Sequence, residues 1–142
     1  VHQYRGFSLV ELMITLVIIA VLAGIGIPAY QSYMQAGYRR QAQADLMAAA
    51  QSMERAFAAR MSYSGLDSSP PFVTSSPTQG TAVYQVSVSE LTAGSFTLTA
   101  TPLADGPAAG DGLLRINHLG QRSWDKNNDG DTNDAGEASW ED

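Results

Sequence analysis

Cysteine is absent from all 142 residues. That removes disulfide staples, thiol chemistry and every Cys-based zinc site at once. Basic residues are scarce, with eight Lys and Arg against fourteen Asp and Glu and a net charge of −6. A surface devoted to neutralising nucleic-acid phosphates needs the opposite excess. Histidine is nearly missing, since His118 is the only one after His2. With no glycine-rich phosphate loop and no HExxH, a catalytic constellation would have to be built round that single imidazole, so no enzyme is expected. Charge of either sign disappears between Glu11 and Arg39.

What fills that gap is grease. Residues 7–30 are apolar apart from Ser8, Glu11 and Thr15, and about 20 such residues span a bilayer core as a helix. The run is long for a secretory signal, and no small-x-small cleavage site is followed by a change to soluble composition. The helical pattern continues instead. Tyr30, Met34, Tyr38, Ala42, Leu46, Ala49, Met53 and Phe57 recur every three or four residues, one stripe of a helix with a polar opposite face. The spacing predicts one helix over 7–61, apolar all round in its first half and amphipathic in its second. Glu11 is the anomaly, because a carboxylate at membrane depth costs about 2.5–3.5 kcal/mol and implies a partner. Snorkelling to the headgroups is the other way to place it.

Gly6 followed by Phe7-Ser8-Leu9-Val10-Glu11, then an apolar run ending at Pro28, resembles the N-terminus of type IV pilins and the related pseudopilins. The resemblance implies that residues 1–6 are a leader cut between Gly6 and Phe7 by a prepilin peptidase, which also N-methylates Phe7. It implies that Glu11 meets the N-terminal amine of a neighbouring subunit during assembly. Pro28, which removes a hydrogen bond from a regular helix, would mark a stretch that melts in the filament. Residues 7–30 would be a single inner-membrane span before extraction by the pilus assembly machinery, and then the core of an extracellular fibre.

Residues 31–142 read as a soluble head. The amphipathic helix 31–61 is followed by a Ser-, Pro- and Gly-rich loop at 62–80. Period-two alternation at 82–91 and 95–103, and shorter runs at 113–120 and 121–124, predict two hairpins. The fold class is therefore α+β, the type IV pilin fold, with a long N-terminal helix packed on a four-stranded antiparallel sheet over 81–124. Residues 63–124 look most like PilE-like minor pilins and competence-type relatives. Many of those have a Cys before the Gly of the third strand; here Asp111 precedes Gly112.

The acidic end, 125–142, holds seven of the fourteen acids. Asp125-x-Asn127-x-Asp129-Gly130 alternates oxygen ligands ahead of a turn-making Gly, as calcium loops do. Asp131 and Asp134 continue the series, and Glu137 falls one residue past the EF-hand's closing position. The expected cofactor is Ca²⁺, with an acidic turn as the plainer reading. The expected function is a minor pilin in a filament for twitching motility, adhesion or DNA uptake, with nucleic acid a partner only in the last case. A type II secretion pseudopilin and a non-polymerising, membrane-tethered calcium module are the alternatives.

Overall fold

A computed structural model describes residues 6–141 of the chain. Residues 1–5 of the expected leader, and Asp142, lie outside the described residues. The elements run α1 (Leu9–Arg60), β1 (Ser75–Ser76), β2 (Tyr84–Leu91), β3 (Phe96–Pro102), β4 (Leu114–Asn117) and β5 (Arg122–Trp124). The chain divides into two units, Val1–Met34 and Gln35–Asp142.

The first unit is bare apolar helix. Leu9, Leu16, Ile19, Leu22 and Ile25 each expose 60 % or more of their surface, and nothing in the unit covers them. Leu, Met and Ala favour the helix up to Ala23 against seven β-branched residues, after which Gly24, Gly26 and Pro28 weaken it. The helix nevertheless continues through Pro28. Ser32 Oγ donates to the Pro28 carbonyl at 3.1 Å, a back-bond of the kind that bends a helix, one turn after the proline that lacks an amide for the Gly24 carbonyl.

The second unit is a helix on a sheet. Ala42, Leu46, Ala49 and Met53 are buried along α1, four of the eight residues of the expected stripe. Tyr38 and Phe57 pack at its margin, whereas Tyr30, the first of the stripe, is 65 % exposed. The sheet is an antiparallel meander in the order β1-β2-β3-β4-β5. Alternation sends Tyr84, Val86, Phe96, Leu98, Leu114 and Ile116 into the core. A bulge between Val88 and Glu90 ends the strict alternation of β2.

The sheet has five strands where four were expected. The extra strand, β1, lies inside the segment read as loop, and two serines carry neither alternation nor β-branching to announce it. It pairs Ser75 with Gln85 and Ser76 with Tyr84. Ser76 is fully buried and its hydroxyl donates to Asp45 Oδ2 at 2.6 Å, which fastens the long loop to α1.

Candidate functional site

The chemistry-bearing residues fall in three places: the start of α1, a buried knot in the head, and the acidic end. At the start of α1, Ser8 is the helix N-cap. The Glu11 amide donates to Ser8 Oγ at 3.2 Å, and the Ser8 amide donates to Glu11 Oε2 at 3.1 Å. This reciprocal pair is a capping box, which satisfies two otherwise orphaned amides. Glu11 thus has a local structural partner that the charge-in-membrane argument overlooked, although Ser-x-x-Glu ahead of an apolar run was the available signal. The same geometry places a carboxylate at the positive end of the helix dipole. Glu11 Oε1 has no partner among the described residues, so the side chain can cap α1 and still accept from a cation. Phe7 is 78 % exposed beside it. Pro28 sits within α1, well removed in sequence from the cap, and no contact joins it to Glu11.

The knot in the head centres on Asp111. Arg39 from α1 forms an ion pair with Asp111 Oδ1, and Tyr84 from β2 donates to Oδ2 at 2.6 Å. The Asp111 carbonyl accepts from Trp124 Nε1 at 2.7 Å, and the Arg39 guanidinium lies 3.8 Å above the Trp124 ring. All four side chains are largely buried, so the charges are satisfied inside rather than by water. Burial first, then the hydrogen bond to Asp111 and its negative charge, push the Tyr84 phenol well above its ordinary pKa; Arg39 partly opposes this. The next residue, Gly112, has a φ of 78°, and an added Cβ would stand 1.7 Å from the Asp125 carbonyl oxygen. Only glycine fits. No local pattern announces Arg39 or Tyr84, which reach Asp111 from other elements.

The acidic end closes on itself. Asp125 is fully buried, and its two carboxylate oxygens accept from the Asp129 amide at 3.1 Å and the Gly130 amide at 2.9 Å. Asp129 accepts from the Asp131 amide, and Asp131 from the Asn133 amide. Glu137 is buried too, accepting from the amides of Lys126 at 3.0 Å and Asp134 at 3.3 Å. Asn127 Nδ2 donates to both Asp129 Oδ2 at 2.9 Å and Asp134 Oδ2 at 2.8 Å, so one amide group separates those two carboxylates. Among the described residues no three His, Cys, Asp or Glu side chains gather as a metal group. The donor set is all oxygen, which suits a hard cation such as Ca²⁺.

His118 is edge-on to Phe96, with ring centroids 6.4 Å apart.

Comparison with known proteins bears on the start of α1 and on Arg39, Tyr84 and Asp111 of the knot, while residues 113–142 lie outside both family matches. Residues 28–112 match the family described as type IV minor pilin ComP, DNA uptake sequence receptor. Residues 2–27 match the prokaryotic N-terminal methylation motif. The chain is 58 % identical over 33 residues to prepilin peptidase-dependent protein D of Escherichia coli K12, which is 23 % of either chain. It is 40 % identical over 47 residues to the type IV major alpha-pilin of Moraxella bovis, 33 % of this chain and 30 % of that one. These matches thus span about a quarter to a third of those relatives. In fold, the chain resembles the crystal structure of the Neisseria meningitidis non-core minor pilin PilV. The TM-score is 0.54 at 20 % identity, covering 73 % of this chain and 94 % of that one.

Proposed function

The chain belongs to the type IV minor pilin family, and from that premise we propose that it enters a pilus by its apolar helix after cleavage between Gly6 and Phe7. The observation that carries this is the first unit itself. A row of large apolar side chains with nothing to cover them needs either lipid or other subunits. Before assembly the helix spans a membrane; in the fibre it is covered by neighbouring helices, and the soluble head faces outward.

Glu11 supplies the register. Its capping bonds hold it at the helix start, where its second oxygen meets the methylated amine of a neighbour's Phe7. Two charges that are each costly in lipid cancel only when subunits dock at the right height. Pro28 gives the helix a turn that can open without disturbing the head. The partners are therefore other pilins, a prepilin peptidase and the machinery that extracts the helix. N-terminal mass spectrometry of the membrane and filament fractions is expected to find N-methyl-Phe7. An N-terminus beyond Tyr30 would show that the helix had been discarded and would sink this reading.

Among the uses of such a filament, we assign the chain a structural place in the fibre rather than DNA capture. Its net charge of −6 works against neutralising phosphates. Binding of Ca²⁺ at the acidic end is a separate proposal. It is supported by the all-oxygen donor set and by the approach of Asp129 and Asp134 to one amide group, which a cation would displace.

A further inference from the structure

The buried tyrosines of the head use their hydroxyls inside the fold, Tyr63 on Glu54 and Tyr84 on Asp111. Tyr30 and Tyr33 do not. Both lie on α1 in the first unit, with 65 % and 73 % of their surfaces exposed. Among the described residues neither phenol is hydrogen-bonded. Three positions apart, the two rings share one side of the helix. Each offers an apolar body and a polar tip that nothing in the unit covers.

Their level along the helix points to what covers them. From Glu11 to Tyr30 is about 28 Å at 1.5 Å per residue, and to Tyr33 about 33 Å. The hydrocarbon core of a bilayer is about 30 Å thick. Between Glu11 and Tyr30 no residue is charged, and Thr15 is the only polar side chain. Its hydroxyl is spent on the Glu11 and Leu12 carbonyls of its own helix, at 3.0 and 2.8 Å. A span of this length that begins at Glu11 therefore ends at the two tyrosines.

The depth and tilt of a span are set by Trp, Tyr, Lys and Arg side chains at its ends. Residues 12–38 contain no Trp, Lys or Arg. Tyr38, the third tyrosine of that stretch, packs against the core of the head. Only Tyr30 and Tyr33 are left to hold this end. A second copy's apolar helix could cover the ring bodies, but over the same stretch it offers the hydroxyls a single polar side chain, Thr15. A headgroup layer is dense in oxygen acceptors.

We propose that Tyr30 and Tyr33 form an interfacial anchor, seated at the headgroups of a phospholipid bilayer, that fixes the depth of α1 before assembly. The ring bodies lie against the outermost acyl carbons and the hydroxyls bond to phosphate or ester oxygens. This rests on the membrane-spanning stage of the filament reading above. With the tyrosines at one boundary, Glu11 stands at the other, where a carboxylate costs less than at the centre. Movement by one helical turn, about 5.4 Å, toward the tyrosine side would draw it into the core. The anchor keeps that charge out of the hydrocarbon while the subunit is alone.

The absence of cysteine allows one nitroxide to report depth. It is attached through Gln31→Cys, an exposed position level with the rings that spares both, on the full chain in phosphatidylcholine vesicles. Oxygen reaches the label from hydrocarbon and a nickel chelate reaches it from water, so the ratio of their collision rates measures its level. With both tyrosines present, the ratio should fall between those of Ile19→Cys in the core and the exposed Gln79→Cys in water. Tyr30→Leu with Tyr33→Leu lengthens the apolar run and should raise the Gln31→Cys ratio roughly threefold as that level sinks. Tyr30→Trp with Tyr33→Trp should hold the wild-type value. An unchanged ratio in the leucine pair overturns the anchor. So does a wild-type ratio equal to either reference, which would place the rings clear of the lipid or deep within it. A ratio that varies with protein density in the vesicle also overturns it, by giving the rings to neighbouring helices. The Ile19→Cys label is read separately. Nickel reaching it would fail the membrane span itself, whereas a core value there beside any of these failures loses only the anchor.

Discussion

Glu11 and Asp111 are both acids in apolar company, and the two units of the chain satisfy them in opposite ways. Around Asp111 the head provides everything: a guanidinium from α1, a phenol from β2 and an indole that holds the guanidinium in place. Around the Glu11 carboxylate the first unit provides one backbone amide, that of Ser8, and no cation among the described residues. Around Asp111 the head satisfies its buried charge within a single subunit. The first unit is finished only by something outside it, and its exposed apolar surface makes the same demand in hydrophobic terms. A pilin must be soluble at one end and incomplete at the other, and these two carboxylates show where the division falls.

The largest expected effect comes from breaking the incomplete side. On the proposed pairing, Glu11→Ala leaves a neighbour's amine without a partner in an apolar setting. At about 2.5–3.5 kcal/mol this lowers incorporation into filaments roughly fiftyfold or more. The head's thermal midpoint should not move. Ser8→Ala sharpens the point, since it removes the cap at about 1 kcal/mol but keeps the carboxylate. Quantitative mass spectrometry of sheared filaments should show Ser8→Ala close to wild type. Equal losses from both variants would make Glu11 a cap and nothing more.

Breaking the finished side should do the reverse. Asp111→Ala strands the Arg39 charge in a buried setting, at about 3–5 kcal/mol. Both tryptophans of the chain, Trp124 and Trp140, lie in the head. Their fluorescence during urea unfolding of the full chain in micelles therefore reports the head alone. A loss of stability with membrane insertion intact is the expected result. An unchanged midpoint would mean the knot is decoration.

Much of this was legible in the sequence, and what was hidden has physical reasons. The stripe from Ala42 to Met53 and the alternation of β2 and β3 are periodic signals, and the structure follows them. β1 has no such signal, because its two serines pair through their backbones. In the sequence Asp111 stands out only as a residue placed where many members of the family it resembles have cysteine. Its partners, Arg39 and Tyr84, lie 72 and 27 positions away, and no local pattern connects residues so far apart. The capping box is readable in Ser8-x-x-Glu11 ahead of the apolar run. The burial of Asp125 and Glu137 in an otherwise exposed acidic segment follows from amides that only the folded loop brings to them.

Calcium would sharpen the comparison by showing whether the head, too, needs something from outside. If the cation binds only the folded loop, a hundredfold excess over Kd adds about 2.7 kcal/mol. The midpoint followed by tryptophan fluorescence should then rise in millimolar Ca²⁺ relative to chelator, and Asp125→Asn should abolish the rise. Coincident midpoints for the wild-type chain would leave the acidic end as a turn closed by its own amides.

The last effect is a matter of pH, and it tests how dry the finished side is. The Tyr63 phenol donates to Glu54 Oε1 at 2.8 Å. Its pKa is pushed up to about 12, chiefly by burial and then by that hydrogen bond and the neighbouring negative charge. Tyr84 is raised further by the same kinds of cause. Below pH 10 both phenols keep their protons whether the head is folded or not, so they add no pH dependence there. Above pH 10 the unfolded chain releases protons that the native head retains, and unfolding becomes progressively easier. The expected slope is about −1.4 kcal/mol per pH unit for each tyrosine held protonated. For Tyr63 this loss runs from pH 10 to about 12 and then levels off. The urea midpoint should therefore stay flat from neutral pH to 9 and fall beyond 10. Tyr63→Phe should reduce the slope near pH 11 by one tyrosine's share while leaving the Asp111 knot intact. A head whose stability is level through pH 11 would show that water reaches both phenols, and the contrast between a dry, finished head and an unfinished helix would lose its sharpest edge.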